Sequence, residues 1–235
     1  MRLDIYITKT YNIQSRNKAS ELIKSHKVFV NNKIIQKPSY ILIGDEEIRI
    51  TEDDFFVSRS AYKLKYFLED NNIIVKDKIA IDIGSSTGGF TQILLNNDIQ
   101  SVTCVDVGTN QLHSSIKNNE KIIIVENTDI RKFISNTTYG LVTCDVSFIS
   151  ILNILNDINR LSNHEIIILY KPQFEVGKEI KRDNNGVVLD LKAINQERDN
   201  FLNEAKKLKW KLLIANKSKL AGKSGNIEEL FYFKK

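Results

Sequence analysis

Lys171 closes an apolar run (Ile-Ile-Ile-Leu-Tyr-Lys), and Asp145 closes another (Leu-Val-Thr-Cys-Asp). As neighbouring central strands of a parallel sheet, these runs would bring lysine and carboxylate together beyond the strand ends. Open α/β sheets hold their ligands there. An amine in such a place can be held neutral by desolvation or by a second cation, and can then take a proton from a hydroxyl. Lys63, in Ser-Arg-Ser-Ala-Tyr-Lys-Leu ahead of the sheet, is placed to be that cation. A salt bridge without catalytic work fits the same spacing.

A second chemical feature is the turn Ile81-Asp82-Ile83-Gly84-Ser85-Ser86-Thr87-Gly88-Gly89-Phe90-Thr91. An apolar strand runs into glycines and then into a helix start, the junction where such sheets bind nucleotide-like ligands. The spacing is not the G-x-G-x-x-G that seats a pyrophosphate. With Asp82 at the strand end, the turn suits a cationic, hydroxyl-rich ligand, and S-adenosylmethionine has that chemistry. The predicted donor contacts are Asp82, Gly84, Ser85, Ser86, Gly88, Gly89 and Phe90. Asp106 and Val107 end the next strand, where an acid can accept from ribose hydroxyls. Asn127-Thr128-Asp129 follows the third strand and suits an adenine edge, and Asp145 borders the same crevice. An ordinary glycine-rich turn with no ligand is the competing reading. Two cysteines (Cys104, Cys144) and three histidines (His26, His113, His164) show no ligand spacing, so no metal is expected. Both cysteines read as buried apolar residues, not as a disulfide.

The elements that must hold these residues follow from periodicity. Residues 58–68 form an amphipathic helix with Ala61, Leu64, Phe67 and Leu68 on one face. Strands are predicted over 79–83, 101–106, 121–126, 141–145, 165–170, 211–215 and 229–233. Helices are predicted over 90–96, 150–161 and 191–208. Alternation of this kind implies a Rossmann-like, mostly parallel sheet with helices on both faces. The last two strands lack an intervening helix and should form an antiparallel hairpin at one edge.

Residues 1–57 read as a separate small α+β unit ending in a linker, 51–57. Two short helices are expected over 2–9 and 16–25, with a turn at Asn12 to Gln14. Leu3, Ile5 and Ile7 should face inward from the first, and Ala19, Leu22 and Ile23 from the second, where Ser15 is the N-cap. A hairpin at 27–35 turns on Asn31-Asn32, and a strand follows over 47–51. Residues 1–40 hold eight Lys and Arg against two acids, out of a net charge of +5, so the remainder is near neutral. A basic arm on a neutral body is an electrostatic footprint for nucleic acid. No apolar run approaches the ~18 residues of a membrane span, and the charged start Met1-Arg2-Leu3-Asp4 is unlike a secretory signal, so a cytoplasmic protein is expected.

Taken in order, these motifs resemble the TlyA family of bacterial rRNA 2′-O-methyltransferases, once called haemolysins. Arg2-Leu3-Asp4, Ser15-Arg16-x-Lys18-Ala19 and Val28-x-Val30-Asn31 resemble an S4 RNA-binding domain. V-S-R-S-A-Y-K-L, D-I-G-S-S-T-G-G-F-T, V-D-V-G-x-x-Q-L, D-V-S-F-I-S, K-P-Q-F-E-V-G-K and S-G-N-I-E resemble the methyltransferase part. The resemblance implies an S4 domain over 1–57, a methyltransferase domain over 58–235 and S-adenosylmethionine as cofactor. It also implies a Lys-Asp-Lys-Glu tetrad, carried by Lys63, Asp145, Lys171 and Glu228, with Glu229 as the neighbouring alternative. Arg2, Arg16, Lys18 and Lys27 would meet phosphates, and Phe174 would either stack on an extruded base or be a core residue beside the turn. The implied partner is ribosomal RNA, with a small-subunit (16S, 30S) cytidine near the decoding site as target and a monomer as the acting form. A non-catalytic ribosome-assembly module and a membrane-lytic haemolysin are the rival functions.

Overall fold

The computed structural model describes all residues except 12, 14, 32 and 51–55. It divides into two compact units, Met1–Phe55 and Phe56–Lys235. The expected turn at Asn12 to Gln14, the second turn residue Asn32, and the linker segment 51–55 fall outside or partly outside the described residues.

The first unit contains α1 (Leu3–Thr10), α2 (Arg16–Lys24), β1 (Val28–Val30), β2 (Lys33–Ile34) and β3 (Ile48–Ile50). Strand β1 is central, antiparallel to both neighbours. Leu3, Ile7, Ala19, Ile23, Val28, Val30 and Leu42 form its core. Ser15 caps α2 by accepting from Lys18 N at 3.2 Å. In α1 the third buried residue is Asp4, and the expected Ile5 is only half-buried. Asp4 tolerates burial because Arg2 and Arg16 both donate to it, at 2.9 Å from Oδ2. The Arg2 hydrogen bond is the main reason its carboxyl is driven down to about 2.

The second unit runs α3 (Arg59–Asp70), β4 (Ile79–Ile83), α4 (Gly89–Asn96), β5 (Ser101–Val105), α5 (Ser114–Lys117), β6 (Ile122–Val125) and β7 (Tyr139–Cys144). A 3-10 turn (Ile151–Ile154), α6 (Leu155–Leu161), β8 (Ser162–Tyr170), α7 (Pro172–Glu175), α8 (Leu191–Lys207), β9 (Lys211–Lys217) and β10 (Glu229–Lys234) complete it. The sheet order is β6-β5-β4-β7-β8-β10-β9. All pairings from β6 to β8 are parallel; β10 is antiparallel to β8 and to β9. Along β8, Ile166, Ile168 and Tyr170 enter the core on one face, and Ile167 and Leu169 the core on the other. That period of two explains an unbroken apolar run: both faces are covered by helices.

Three expectations change. The single helix over 150–161 is a 3-10 turn capped by Ser150, followed by α6. The short helices α5 and α7 carry too few residues for a periodic signal. Phe56 and Val57 do not behave as linker. Both pack on the core of the second unit, and Val57 N donates to Gln92 Oε1 at 2.8 Å.

Candidate active site

The parallel order places the ends of β4, β5, β7 and β8 along one edge. Because β10 runs antiparallel to β8, its start lies at that same edge: Glu229 is paired with Tyr170. Lys171, just after β8, and Glu228, just before β10, therefore stand side by side near Asp145, which follows β7. Helix α3 lies close over the start of α4, since a Cβ on Gly89 would fall 2.0 Å from Ser58 Oγ. From the second turn of α3, Lys63 reaches the Glu228 carboxylate and pairs with it.

The four side chains form two linked pairs. Lys171 Nζ is 2.6 Å from Asp145 Oδ1, off the axis of a well-formed hydrogen bond, and donates to Ser147 Oγ at 2.9 Å. Glu228 accepts from Lys63 through Oε2 and from Gln173 Nε2 through Oε1 at 3.2 Å. Lys63, Lys171 and Glu228 are buried, at 7%, 9% and 3% exposure, so their charges interact with little screening by water. Burial pushes the Asp145 carboxyl up, and the nearby Lys171 and Lys63 oppose that shift. The alternation of β10 separates the two candidate glutamates. Glu229 turns to the opposite face and binds Arg198 at 2.9 Å.

Beside this cluster is a cavity of about 410 Å³, within the range of small-molecule sites. Gly84, Ser86, Asp106, Val107, Asp129 and Asp145 line it, with Ile130 and Ile149 as apolar walls. Asp106 accepts from Ser86 N at 2.8 Å and from Gly108 N at 2.7 Å, one bond on each oxygen. Each oxygen keeps a lone pair for a ligand hydroxyl. Asp129 is held by Arg131, whose Nε donates at 3.0 Å, and this hydrogen bond drives its carboxyl down to about 2. Val107 is exposed at the cavity wall. Ser85 Oγ is buried with no hydrogen-bond partner, an orphaned polar atom in the turn.

Asp82 is fully buried and lies outside the cavity lining. Its Oδ2 accepts from Thr91 N at 3.1 Å and Thr91 Oγ1 at 2.7 Å, and its Oδ1 from Thr143 Oγ1 at 2.8 Å. It ties β4 to α4 and β7. Ser85, Gly88, Gly89 and Phe90 also lie outside the lining: Gly88 makes room for Ile116 and Leu112, Gly89 for Ser58 and Ser60, and Phe90 is core. Gly84, at φ +76°, abuts the Asp145 carbonyl, where a Cβ would lie 3.0 Å away. Thus part of the glycine signal reflects packing between elements.

Burial raises the Asp82 carboxyl from 3.8 to about 6. A carboxyl raised in the folded state stabilises the fold at low pH, and that contribution is lost as pH rises through about 6. Asp82→Asn keeps an acceptor for Thr91 and offers an amide to Thr143. Between pH 4 and pH 8, urea unfolding should show the wild type losing up to about 3 kcal/mol relative to this variant. A difference independent of pH would refute the assignment.

In the first unit Arg2 and Arg16 are committed to Asp4 yet remain substantially exposed, leaving guanidinium donors for a phosphate. Lys18 pairs with Glu21 at 3.1 Å. Lys27 is half-buried, and burial lowers its amine. Phe174 is half-buried, its ring 5.2 Å from that of Phe148. Phe148 escaped the sequence reading. It is 91% exposed, lines the cavity, and sits at φ +67°, a strained conformation for an aromatic residue. Ser147, Gln173 and Arg131 were missed as well. Each lies within three residues of a predicted site residue: Ser147 and Phe148 of Asp145, Gln173 of Lys171, Arg131 of Asp129. Among the described residues no cluster could hold a metal, and both cysteines are buried and free.

The FtsJ-like methyltransferase family matches residues 56–235 and the S4 domain family residues 1–48. A Campylobacter jejuni protein named 23S rRNA (cytidine-2′-O)-methyltransferase TlyA is 47% identical over 251 residues, covering 99% of both chains. A Mycobacterium tuberculosis protein named 16S/23S rRNA (cytidine-2′-O)-methyltransferase TlyA is 32% identical, covering 99% of this chain and 89% of its own. A solved hemolysin-named structure from Streptococcus thermophilus superposes with a TM-score of 0.72 at 29% identity, over 100% of this chain and 88% of the other. The chain belongs to the TlyA family, in which an S4 domain precedes an FtsJ-like, S-adenosylmethionine-dependent rRNA methyltransferase domain.

Proposed function

We propose that the second unit transfers a methyl group from S-adenosylmethionine to the ribose 2′-oxygen of a cytidine in ribosomal RNA. The observation that carries this reading is the convergence of Lys63, Asp145, Lys171 and Glu228 beside the 410 Å³ cavity. The cavity residues suit the donor. Asp106 offers lone pairs to ribose hydroxyls, and Val107, Ile130 and Ile149 offer apolar faces to a flat ring. Gly84, on the cavity wall, stands where a polar tail could be held. The donor supplies a sulfonium-bound methyl whose C–S bond breaks with its electron pair going to sulfur.

The protein's own contribution is alignment and proton removal. Lys171 takes the 2′-OH proton as the oxygen meets the methyl carbon. Asp145 and Ser147 hold the Lys171 amine in place, and the Lys63–Glu228 pair borders the ribose on the other side. Holding nucleophile and methyl in line supplies much of the acceleration. Phe148, exposed and backed by Phe174, is a platform for a base drawn out of its stack. Arg2, Arg16, Lys18 and Lys27 would anchor the RNA through phosphates, giving an affinity that falls with salt.

For the target, the sequence reading favoured small-subunit rRNA near the decoding site. The 23S name of the relative that is 47% identical over the full length speaks for a large-subunit cytidine, and we adopt that reading. Purified protein, labelled donor and separated subunits test it, followed by mapping of 2′-O-methyl positions. Methylation of 50S alone is expected; methylation of 30S restores the small-subunit reading; none on either ends the proposal. No helix among the described residues is long and apolar enough to cross a membrane.

A further inference from the structure

We propose that Gly222 is a positioning residue for the Glu228 carboxylate. This rests on the reading of Glu228 as part of the catalytic cluster. Residues 218–228 form a tight loop before β10. Ser218 N donates to Glu228 O at 2.8 Å, Gly222 N to Asn226 O at 2.8 Å, and Gly225 N to Gly222 O at 3.0 Å. Asn226, only 4% exposed, fastens the loop to the segment before α8: its Oδ1 accepts from Val188 N at 3.0 Å, and its Nδ2 donates to Gly186 O at 3.1 Å. The loop is also held from α3, where Arg59 donates to Ala221 O at 2.8 Å.

This bracing fixes the Gly222 backbone against the catalytic carboxylate. A Cβ at Gly222 would lie 2.5 Å from Glu228 Oε1 and 3.2 Å from its Cδ. Gly222 is not among the glycines of positive φ, so its backbone accepts an L side chain. The absent Cβ therefore serves the space that Glu228 occupies, not the shape of the turn. A methyl group there collides with the far end of a flexible side chain, so the fold yields easily. What yields is the carboxylate, and with it the bonds to Lys63 and Gln173. A displacement of about 1 Å at such a group can lower a rate about 10²-fold.

The test is Gly222→Ala in the full chain, with large ribosomal subunits from cells lacking the gene as substrate. Measured are the single-turnover rate at saturating donor and subunit, the Kd of each, and the melting temperature. The expected result is a rate about tenfold to a hundredfold lower, with both Kd values within about twofold of wild type and a nearly unchanged melting temperature. A rate within about twofold of wild type overturns the proposal. So does a rate loss matched by an equal loss of donor or subunit affinity. Should Gly222→Ala fold poorly, Gln173→Ala decides: a lower rate at unchanged affinities supports the clamp on Glu228, and an unchanged rate overturns it. Glu228→Gln runs in parallel. If it turns over normally, the catalytic reading itself fails; if it is inactive while Gly222→Ala is not, only this inference fails.

Discussion

Lys171→Ala is expected to abolish methyl transfer while donor binding stays near wild type. A general base contributes typically about 10²–10⁴-fold, so single-turnover transfer to ribosomal subunits should fall by at least that range. Lys171 lies at the end of β8, with its amine on Asp145 and Ser147. The residues expected to hold the donor line the cavity from the ends of β4 and β5, so titration with the donor should change little. Removing Lys171 also leaves Asp145 buried without its nearest cation, and the variant should unfold at lower denaturant. Normal turnover by the variant would remove Lys171 from the chemistry. Loss of donor binding in step with turnover would relocate its role to the cofactor.

The second large effect separates stability from catalysis at the other pair. Lys63 and Glu228 are both nearly excluded from water, and each is the other's counter-charge. Lys63→Met leaves a buried carboxylate without a cation, and breaking such a pair costs about 3–5 kcal/mol. Replacing both partners with apolar residues of similar volume is commonly neutral or stabilising. Lys63→Met with Glu228→Leu should therefore recover most of the unfolding free energy lost in the single variant. It should recover no methyl transfer, because two groups of the proposed catalytic cluster are gone. Urea unfolding and a single-turnover assay on the same preparations read the two outcomes. Recovery of activity together with stability would make the pair a structural strut.

Much of this architecture could be read from the residues. The runs ending at Asp145 and Lys171 are apolar throughout because strands of a parallel sheet are buried on both faces. Their adjacency as β7 and β8 followed from the chain's βα alternation. The terminal strand pair was likewise expected at an edge, since no helix separates the two. Illegible features depended on partners distant in sequence. Asp82 had the type and place of a ligand-binding acid, yet Thr91 and Thr143 enclose it. Gly88 and Gly89 read as a ligand cradle, yet their missing side chains admit Ile116, Leu112 and the start of α3. A glycine motif records that something approaches closely and is silent on whether that is a ligand or another helix.

By itself the sequence determined the two-part organisation, the alternating sheet, and the residue types able to move a proton at a strand end. Those properties are local: periodicity, charge distribution and strand-end position are written in neighbouring residues. Tertiary structure alone decided which acids face the crevice and which are sealed in the core. It also decided that Glu228, not Glu229, meets Lys63, because the antiparallel insertion of β10 sets which side of the strand faces the site. Phe148 and Gly222 belong to that second class. Their significance lies in an exposed ring at a strained φ and in the room left for a carboxylate, and both are properties of space between distant segments.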